Sequence, residues 1–196
     1  MTHEREFFDT IAGQWDTMRA ADAEKINQLV DLIGLTPGSG VLDAGSGTGV
    51  LLPFLKRAVG TGGTITAVDF SGNMLAKAEE KHGGLGGIEF AVADIMQYTA
   101  GKAFDAIICF NFFPHIKDKP QFLVRMRDML RPGGQLVIMH DISREQVNAI
   151  HQGSKVVQDD RLAHAEAVKE LFLANGFTVG ETIDDNDRYF IKGLKA

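Results

Sequence analysis

Five short β-branched runs recur along the chain, each closed by turn residues and usually followed by a stretch with helical spacing. They read SGVLDA (39–44), GTITAVDF (63–70), GIEFAVAD (87–94), FDAIICFN (104–111) and GQLVIMHD (134–141). Strands that alternate with helices pair in parallel, because the chain must cross back over the sheet before the next strand can run the same way. Runs this apolar belong to a sheet covered on both faces. Between them, Ser71 is placed to cap a helix over GNMLAKAEEKH (72–82), and KPQFLVRMRDMLRPGG (119–134) repeats Phe122, Met126 and Leu130 at four-residue spacing before a Pro-Gly-Gly stop. The end of the chain reads as an amphipathic helix, EAVKELFLANGF (166–177), and a hairpin, FTVGETIDDNDRYFIKGLK (177–195), turning at Asp184 to Asp187.

The first forty residues differ in kind. REFFDTIAGQWDTM (5–18) and EKINQLVDLIGL (24–35) read as two helices ahead of the first strand, a cap rather than a domain, while HGGLGG (82–87) is a helix stop and loop. At 196 residues, 44% apolar and 23% charged, the chain fits one domain with a sizeable core. It divides into a helical cap over 1–36, a central core over 38–142, and helices with a closing hairpin over 143–196. No apolar stretch nears the roughly 20 residues that span a bilayer, and the N-terminus lacks the apolar region of a secretory signal, so a cytoplasmic location without stable membrane insertion is expected. The one cysteine, Cys109 in AIICF, excludes an intrachain disulfide and a thiolate metal cluster, and reads as a small buried hydrophobe. A net charge of −6 with no basic cluster argues against nucleic acid and leaves a small molecule as the expected partner; a homodimer is allowed.

Gly45, Gly47 and Gly49 lie between the first strand and a helix-like run, in VLDAGSGTGVLLPFL (41–55). Glycines there permit positive φ and the close approach of a ligand to the backbone, although they also serve tight strand-to-helix packing. Asp69 ends the next strand about 20 residues on, where a carboxylate can accept hydrogen bonds from both hydroxyls of a ribose. Its plainer reading is a turn residue. The spacing is G-x-G-x-G rather than G-x-G-x-x-G, and Asp43 stands two residues before the first glycine. A pyrophosphate at a helix N-terminus gains nothing from a neighbouring carboxylate, whereas a cationic ligand does.

VLDAGSGTG, AVDFSGNML, VADI, FDAIICFN and LRPGGQLVIMHD, in this order over residues 38–142, resemble the motif series of class I S-adenosylmethionine-dependent methyltransferases. FFDTIAGQWD (7–16) is similar to the opening of the menaquinone and ubiquinone C-methyltransferase-like group. The resemblance implies an α/β fold: a Rossmann-like, doubly wound, mostly parallel seven-stranded sheet with an antiparallel last strand and an N-terminal helical cap. It implies S-adenosylmethionine as cofactor. It further implies that Gly45, Gly47, Gly49 and the backbone at Ser46 cradle the cofactor's amino-acid portion, with Asp43 acting through the loop and the ammonium. Asp69 would hold the ribose hydroxyls, Phe70 and Met74 would flank the adenine, Asp94 would accept from the exocyclic amine, and the Ile95 backbone would meet the ring edge. The Asn111 carbonyl would sit near the methionine moiety. By themselves, Asp94 reads more plainly as a strand-end turn acid and Met74 as a core methionine.

A sulfonium carries an already activated methyl group, so the protein has only to align an acceptor behind it, exclude water and manage the acceptor's proton. A hydroxyl or an enolisable carbon needs a base, and histidine is the side chain poised near neutral pH. His115 in NFFPHIKD (111–118) and His140 in MHDIS (139–143) follow the ends of the fourth and fifth strands, the edge where open α/β sheets bind ligands. Both are candidate bases, with loop and strand-end packing as the plainer reading. His3, His151 and His164 fall in helix-like surroundings and His82 at a helix end, where solvated or capping roles are expected. Asp141 and Asn111 have the donor chemistry of a magnesium site, but the phenylalanines after Asn111 and the shortage of further acids leave no metal expected. The acid pairs Asp159–Asp160 and Asp184–Asp185 read as solvated loop residues. Phe8 and Trp15 recur with Phe7 near helical spacing and, with Phe112, are candidate contacts for an apolar or aromatic acceptor under a lid; helix-to-core packing would need the same residues. Methyl transfer to such an acceptor is the expected function. A nicotinamide-dependent oxidoreductase, which shares the glycine turn and ribose acid, and a non-catalytic binder of S-adenosylmethionine are the alternatives.

Overall fold

The computed structural model describes residues 2–19 and 21–196. Its packing divides into two compact units, residues 1–98 and 99–196.

In the first unit, the helix expected over 5–18 is interrupted: α1 (Thr2–Ile11) and α2 (Trp15–Met18) are separated by a turn at residues 12–14. Gly13 lies in that turn, where the backbone entropy glycine would lose in a helix interior, up to about 1 kcal/mol, is not spent. α3 (Ala23–Ile33) starts at Asp22, whose carboxylate accepts from the N–H groups of Glu24 and Lys25, and stops at Gly34 in the left-handed conformation. One stripe, Ile26, Leu29, Val30 and Ile33, is buried. β1 (Gly40–Ala44), β2 (Thr64–Asp69) and β3 (Ile88–Val92) pair in parallel, with Val41 opposite Ile65 and Ala67 opposite Phe90. α4 (Leu52–Val59) and α5 (Gly72–His82) are the crossovers that parallel pairing demands. Ser71 caps α5 as expected, accepting from the Met74 N–H at 3.1 Å.

In the second unit, β4 (Phe104–Phe110) and β5 (Leu130–His140) pair in parallel around α6 (Lys119–Met129). The Pro-Gly-Gly stop lies in the first part of β5, where the pairing with β4 shifts register between Phe104 and Ala106. α7 (Arg144–Gln152) opens with a reciprocal capping box between Ser143 and Gln146, and α8 (Ala165–Ala174) follows a loop. The expected hairpin forms from β6 (Phe177–Asp184) and β7 (Tyr189–Lys195), with the Asp185 carboxylate accepting from the N–H groups of Asp187 and Arg188 in the turn. β7 also pairs antiparallel with β5. Cys109 is buried in β4. Gly193 lets the Phe172 ring lie on β7: a Cβ there would stand 2.2 Å from Phe172 Cδ1.

The seven strands form one mixed sheet in the order β3-β2-β1-β4-β5-β7-β6, the Rossmann-like, mostly parallel arrangement with an antiparallel last strand. Among the described residues, no helix is long and apolar enough to cross a membrane.

Candidate functional site

The loop after β1 is drawn in by the backbone of β2, since the N–H groups of Gly45 and Ser46 both donate to the Val68 carbonyl, at 2.8 and 3.0 Å. The Gly47 N–H donates to Asp69 Oδ2 at 2.8 Å, and the Ser71 N–H to Asp69 Oδ1 at the same distance. The glycines of this loop do different work. Gly47 has φ +53 and nothing within 4 Å of where a Cβ would point. At Gly49, φ +78, a Cβ would stand 2.8 to 3.0 Å from Leu52 Cδ1, Ala78 Cβ and His82 Cδ2, so this residue lets the loop close on α4 and α5. Only one of the two therefore offers open backbone to a ligand.

Asp43, at the end of β1, is 1% exposed, and its Oδ2 has no hydrogen-bond partner among the described residues. Burial, and after it the charge of Asp69, pushes its carboxyl up to about 7. Ser46 Oγ is buried in the same unpartnered state. Two orphaned polar groups beside an open stretch of backbone fit the amino-acid end of S-adenosylmethionine, which brings both an ammonium and a carboxylate. Further along, Asp94 is half-buried and closes a turn, its Oδ1 accepting from the Met96 N–H at 2.9 Å. Ile95 and Met74 are buried, and Phe70 is half-buried.

The N-terminal helices join this region through rings and acids. Phe8 meets Trp15 edge-on at 5.7 Å and Phe7 edge-on at 5.3 Å, and lies tilted against Phe70 at 5.9 Å. Asp9 accepts from Ser71 Oγ at 2.5 Å and from the Asn73 N–H at 3.2 Å, while its carbonyl accepts from Asn73 Nδ2. It therefore sits at the N-terminus of α5, where a negative charge is stabilised by the helix dipole. Asp16 accepts from Thr48 Oγ1 in the glycine loop and from Lys81 on α5. The part-burial of Asp16 raises its pKa, but the Lys81 and Thr48 hydrogen bonds outweigh it and hold the carboxyl below its ordinary value. In FFDTIAGQWD an aspartate directly follows an aromatic on both occasions, and each pair supplies one ring and one of these anchoring acids.

In the second unit, Asn111 follows β4 with φ +54, a conformation that costs a non-glycine residue on the order of 1 kcal/mol and tends to persist at functional positions. Its Nδ2 donates to Asp141 Oδ1 at 2.9 Å, and its own Oδ1 is buried without a partner among the described residues. An amide N–H directed at Asp141 is not the arrangement of two metal ligands. No three His, Cys, Asp or Glu side chains among the described residues gather into a metal set. His140 is 1% exposed with both ring nitrogens buried, and meets Tyr189 edge-on at 5.8 Å. His115, in the short helix Phe113–His115 after β4, is 21% exposed and lies 6.5 Å from the half-buried Phe112 ring.

Three expectations are corrected here. Asp160 is not a solvated loop acid: it is 3% exposed, its carboxylate bonded to His115 Nδ1 and to Lys117 Nζ. His151 is not solvated either; it is buried, its Nδ1 bonded to the Asp160 carbonyl. Asp184 is half-buried, accepting from Arg144 and from the Ala165 N–H that opens α8, a capping task that the exposed His164 leaves undone. Asp160 and Asp184 meet partners 45 and 40 residues away, and His151 meets the returning loop nine residues on, which no local pattern announces. Asp159 and Asp185 are exposed as expected.

A methyltransferase-domain family profile matches residues 41–134. The chain is similar to the ubiquinone/menaquinone biosynthesis C-methyltransferase of Teredinibacter turnerae, 30% identical over 141 residues, which cover 67% of this chain and 57% of that protein. The namesake from Hydrogenovibrio crunogenus is 23% identical over 209 residues, covering 90% and 82%. The chain spans less than three fifths of the length of the first two curated relatives it matches. Among solved structures, a SAM-dependent methyltransferase from Aquifex aeolicus superposes with a TM-score of 0.77 at 20% identity, covering 96% of this chain and 98% of that one. Magnesium protoporphyrin IX methyltransferase from Synechocystis, with bound S-adenosylhomocysteine, gives 0.72 at 18% identity, covering 100% and 99%. Its matched stretch and its fold are thus similar to those of the class I S-adenosylmethionine-dependent methyltransferases.

Proposed function

We propose that the protein transfers the methyl group of S-adenosylmethionine to a small aromatic acceptor of the quinol type. The observation that carries this reading is Asp43, a fully buried carboxylate pushed up to about 7 beside the open backbone of Gly47. A cation relieves such a group, and a pyrophosphate would aggravate it. The relatives named for ubiquinone and menaquinone biosynthesis support the quinol-type acceptor.

When bound, the sulfonium supplies an activated methyl group. Asp43, Ser46 and the backbone of Gly45 and Gly47 receive the amino-acid end, with Gly49 serving indirectly by closing the loop on its helices. Asp69, at the end of β2 and bonded through its carboxylate to the Gly47 and Ser71 N–H groups, receives the ribose hydroxyls. Phe70 and Met74 flank the adenine, Asp94 and the Ile95 backbone meet its amine and ring edge, and the Asn111 carbonyl meets the methionine moiety. Phe8, Trp15 and Phe112 offer apolar contact to the acceptor. Of the two histidines, His115 takes the acceptor's proton; His140, with both nitrogens buried, packs the end of β5.

The test is incubation of the purified protein with S-adenosylmethionine labelled in its methyl group and a panel of reduced naphthoquinones and benzoquinones. Label in the extracted quinol is expected. Cofactor binding with every acceptor left unlabelled would refute the reading and leave a non-catalytic binder.

A further inference from the structure

We infer that Asp160 is a positioning residue of the methyl transfer, holding His115 so that Nε2 takes the acceptor's proton; the inference rests on the function proposed above. Asp160 lies in the loop between α7 and α8, 45 residues from His115, with its side chain 2% exposed. Removing a carboxylate from water costs several kcal/mol, recovered only through well-placed partners. Those partners are His115 Nδ1 at 2.7 Å and Lys117 Nζ at 2.5 Å, both just beyond β4. Burial pulls the Asp160 carboxyl up, but the hydrogen bonds from His115 and Lys117 outweigh it and hold the group below its ordinary value.

An ionised carboxylate accepts and cannot donate, so the proton of the His115–Asp160 bond belongs to Nδ1 in the neutral ring. Any proton exchanged with an acceptor then passes through Nε2, and the imidazolium so formed is stabilised by the Asp160 charge. The ring plane is fixed as well. His151 stacks on His115 at 5.0 Å and 36°, and its own Nδ1 is bonded to the Asp160 carbonyl at 2.7 Å. One residue thus orients two histidines, one through its side chain and one through its backbone. Phe112 flanks His115 at 6.5 Å. Among the described residues, the titratable groups about His115 include Asp160, Lys117, which shares the Asp160 carboxylate, and His151.

This arrangement assigns a chemical class to the acceptor: it must lose a proton as it gains the methyl group. A phenolic hydroxyl, or a ring carbon made nucleophilic by one, qualifies. In the transfer, the acceptor's electron pair forms the bond to the methyl carbon, the carbon–sulfur bond breaks with its pair returning to sulfur, and the acceptor's proton goes to His115 Nε2.

The experiment compares wild type with Asp160→Asn, Asp160→Glu, His115→Gln and the Asp160→Asn/His115→Gln double variant, using 1,4-naphthohydroquinone as acceptor and nitrogen-15 NMR of the histidine rings. Asp160→Asn and His115→Gln are each expected to lower kcat by about 10²-fold or more, with S-adenosylhomocysteine affinity changed less than about twofold and the double variant no worse than either single one. Asp160→Glu should recover most of the loss. The wild-type His115 ring should show the Nδ1–H tautomer, shifting towards Nε2–H in Asp160→Asn. Undiminished kcat in Asp160→Asn, additive losses in the double variant, or an Nε2–H tautomer in the wild type overturns the inference alone. No wild-type turnover on any acidic acceptor overturns the proposed function, and the inference with it.

Discussion

The proposed contact between Asp43 and the cofactor's ammonium predicts an affinity that depends on pH. The Asp43 carboxyl is pushed up to about 7 by burial and by Asp69, so near pH 6 only about a tenth of the ligand-free protein carries the charge that an ammonium needs, and near pH 5 about a hundredth. Each unit below 7 then costs about 1.4 kcal/mol of binding, a tenfold rise in Kd, while above roughly pH 8 the dependence vanishes. Titration calorimetry with S-adenosylhomocysteine, whose amino-acid end carries the same ammonium, should show this slope, together with release of about half a proton per ligand bound near pH 7 when buffers of different ionisation enthalpy are compared. Asp43→Asn should lose the slope and bind about 10- to 100-fold more weakly near pH 8, the worth of a charge-assisted hydrogen bond. Stability moves the opposite way. A carboxyl whose folded pKa is raised keeps full stability below its unfolded value of 3.8 and loses it as pH rises towards 7. Above 7 the penalty reaches roughly 4 kcal/mol, which Asp43→Asn removes, so the variant should melt higher than wild type near pH 8 and little differently near pH 4. A wild-type Kd flat between roughly pH 5.5 and 8, in a protein that binds the ligand, would refute the reasoning.

The two glycines of the loop should separate by readout. Gly49→Ala forces a Cβ within 2.8 to 3.0 Å of three side-chain carbons and should lower stability by about 2–4 kcal/mol in urea unfolding, whereas Gly47→Ala, with open space, should cost about 1 kcal/mol of strain and weaken cofactor binding disproportionately. Asp9→Ala removes the ties to Ser71 and Asn73, and Asp16→Ala those to Thr48 and Lys81; both should speed proteolysis within the first twenty residues by about tenfold, with global melting shifted by only a few degrees. Gly193→Ala drives a Cβ into the Phe172 ring and should cost at least about 3 kcal/mol, visible as a large drop in thermal melting.

The strands and crossover helices were legible because their signals are local. Apolar runs of strand length, the Ser71 cap and the Asp184–Asp187 turn each rest on a few consecutive residues, and all appear where the spacing predicts them. The cap helices were legible in kind but not in continuity, because the break at residues 12–14 lets Trp15 come back onto Phe8. Around the site, the glycines and Asp43 stood out by position, yet nothing in the sequence distinguishes Gly47, open on its Cβ side, from Gly49, filled by Leu52, Ala78 and His82.

The sequence by itself determined the order of strands and helices, the class of fold, and the place of a glycine loop with Asp43 ahead of it. Only the tertiary structure decided what each acid does. Asp160 looked like a loop residue and is buried against His115; Asp9 and Asp16 stood out only as members of a local pattern, and they tie the N-terminal helices to α5 and the glycine loop. The reason is physical: strand and helix follow from backbone preferences repeated every two or nearly four residues, whereas a carboxylate's role follows from its partners and its burial. Those partners lie 45, 62 and 32 residues away, brought near by a chain path that no local pattern encodes.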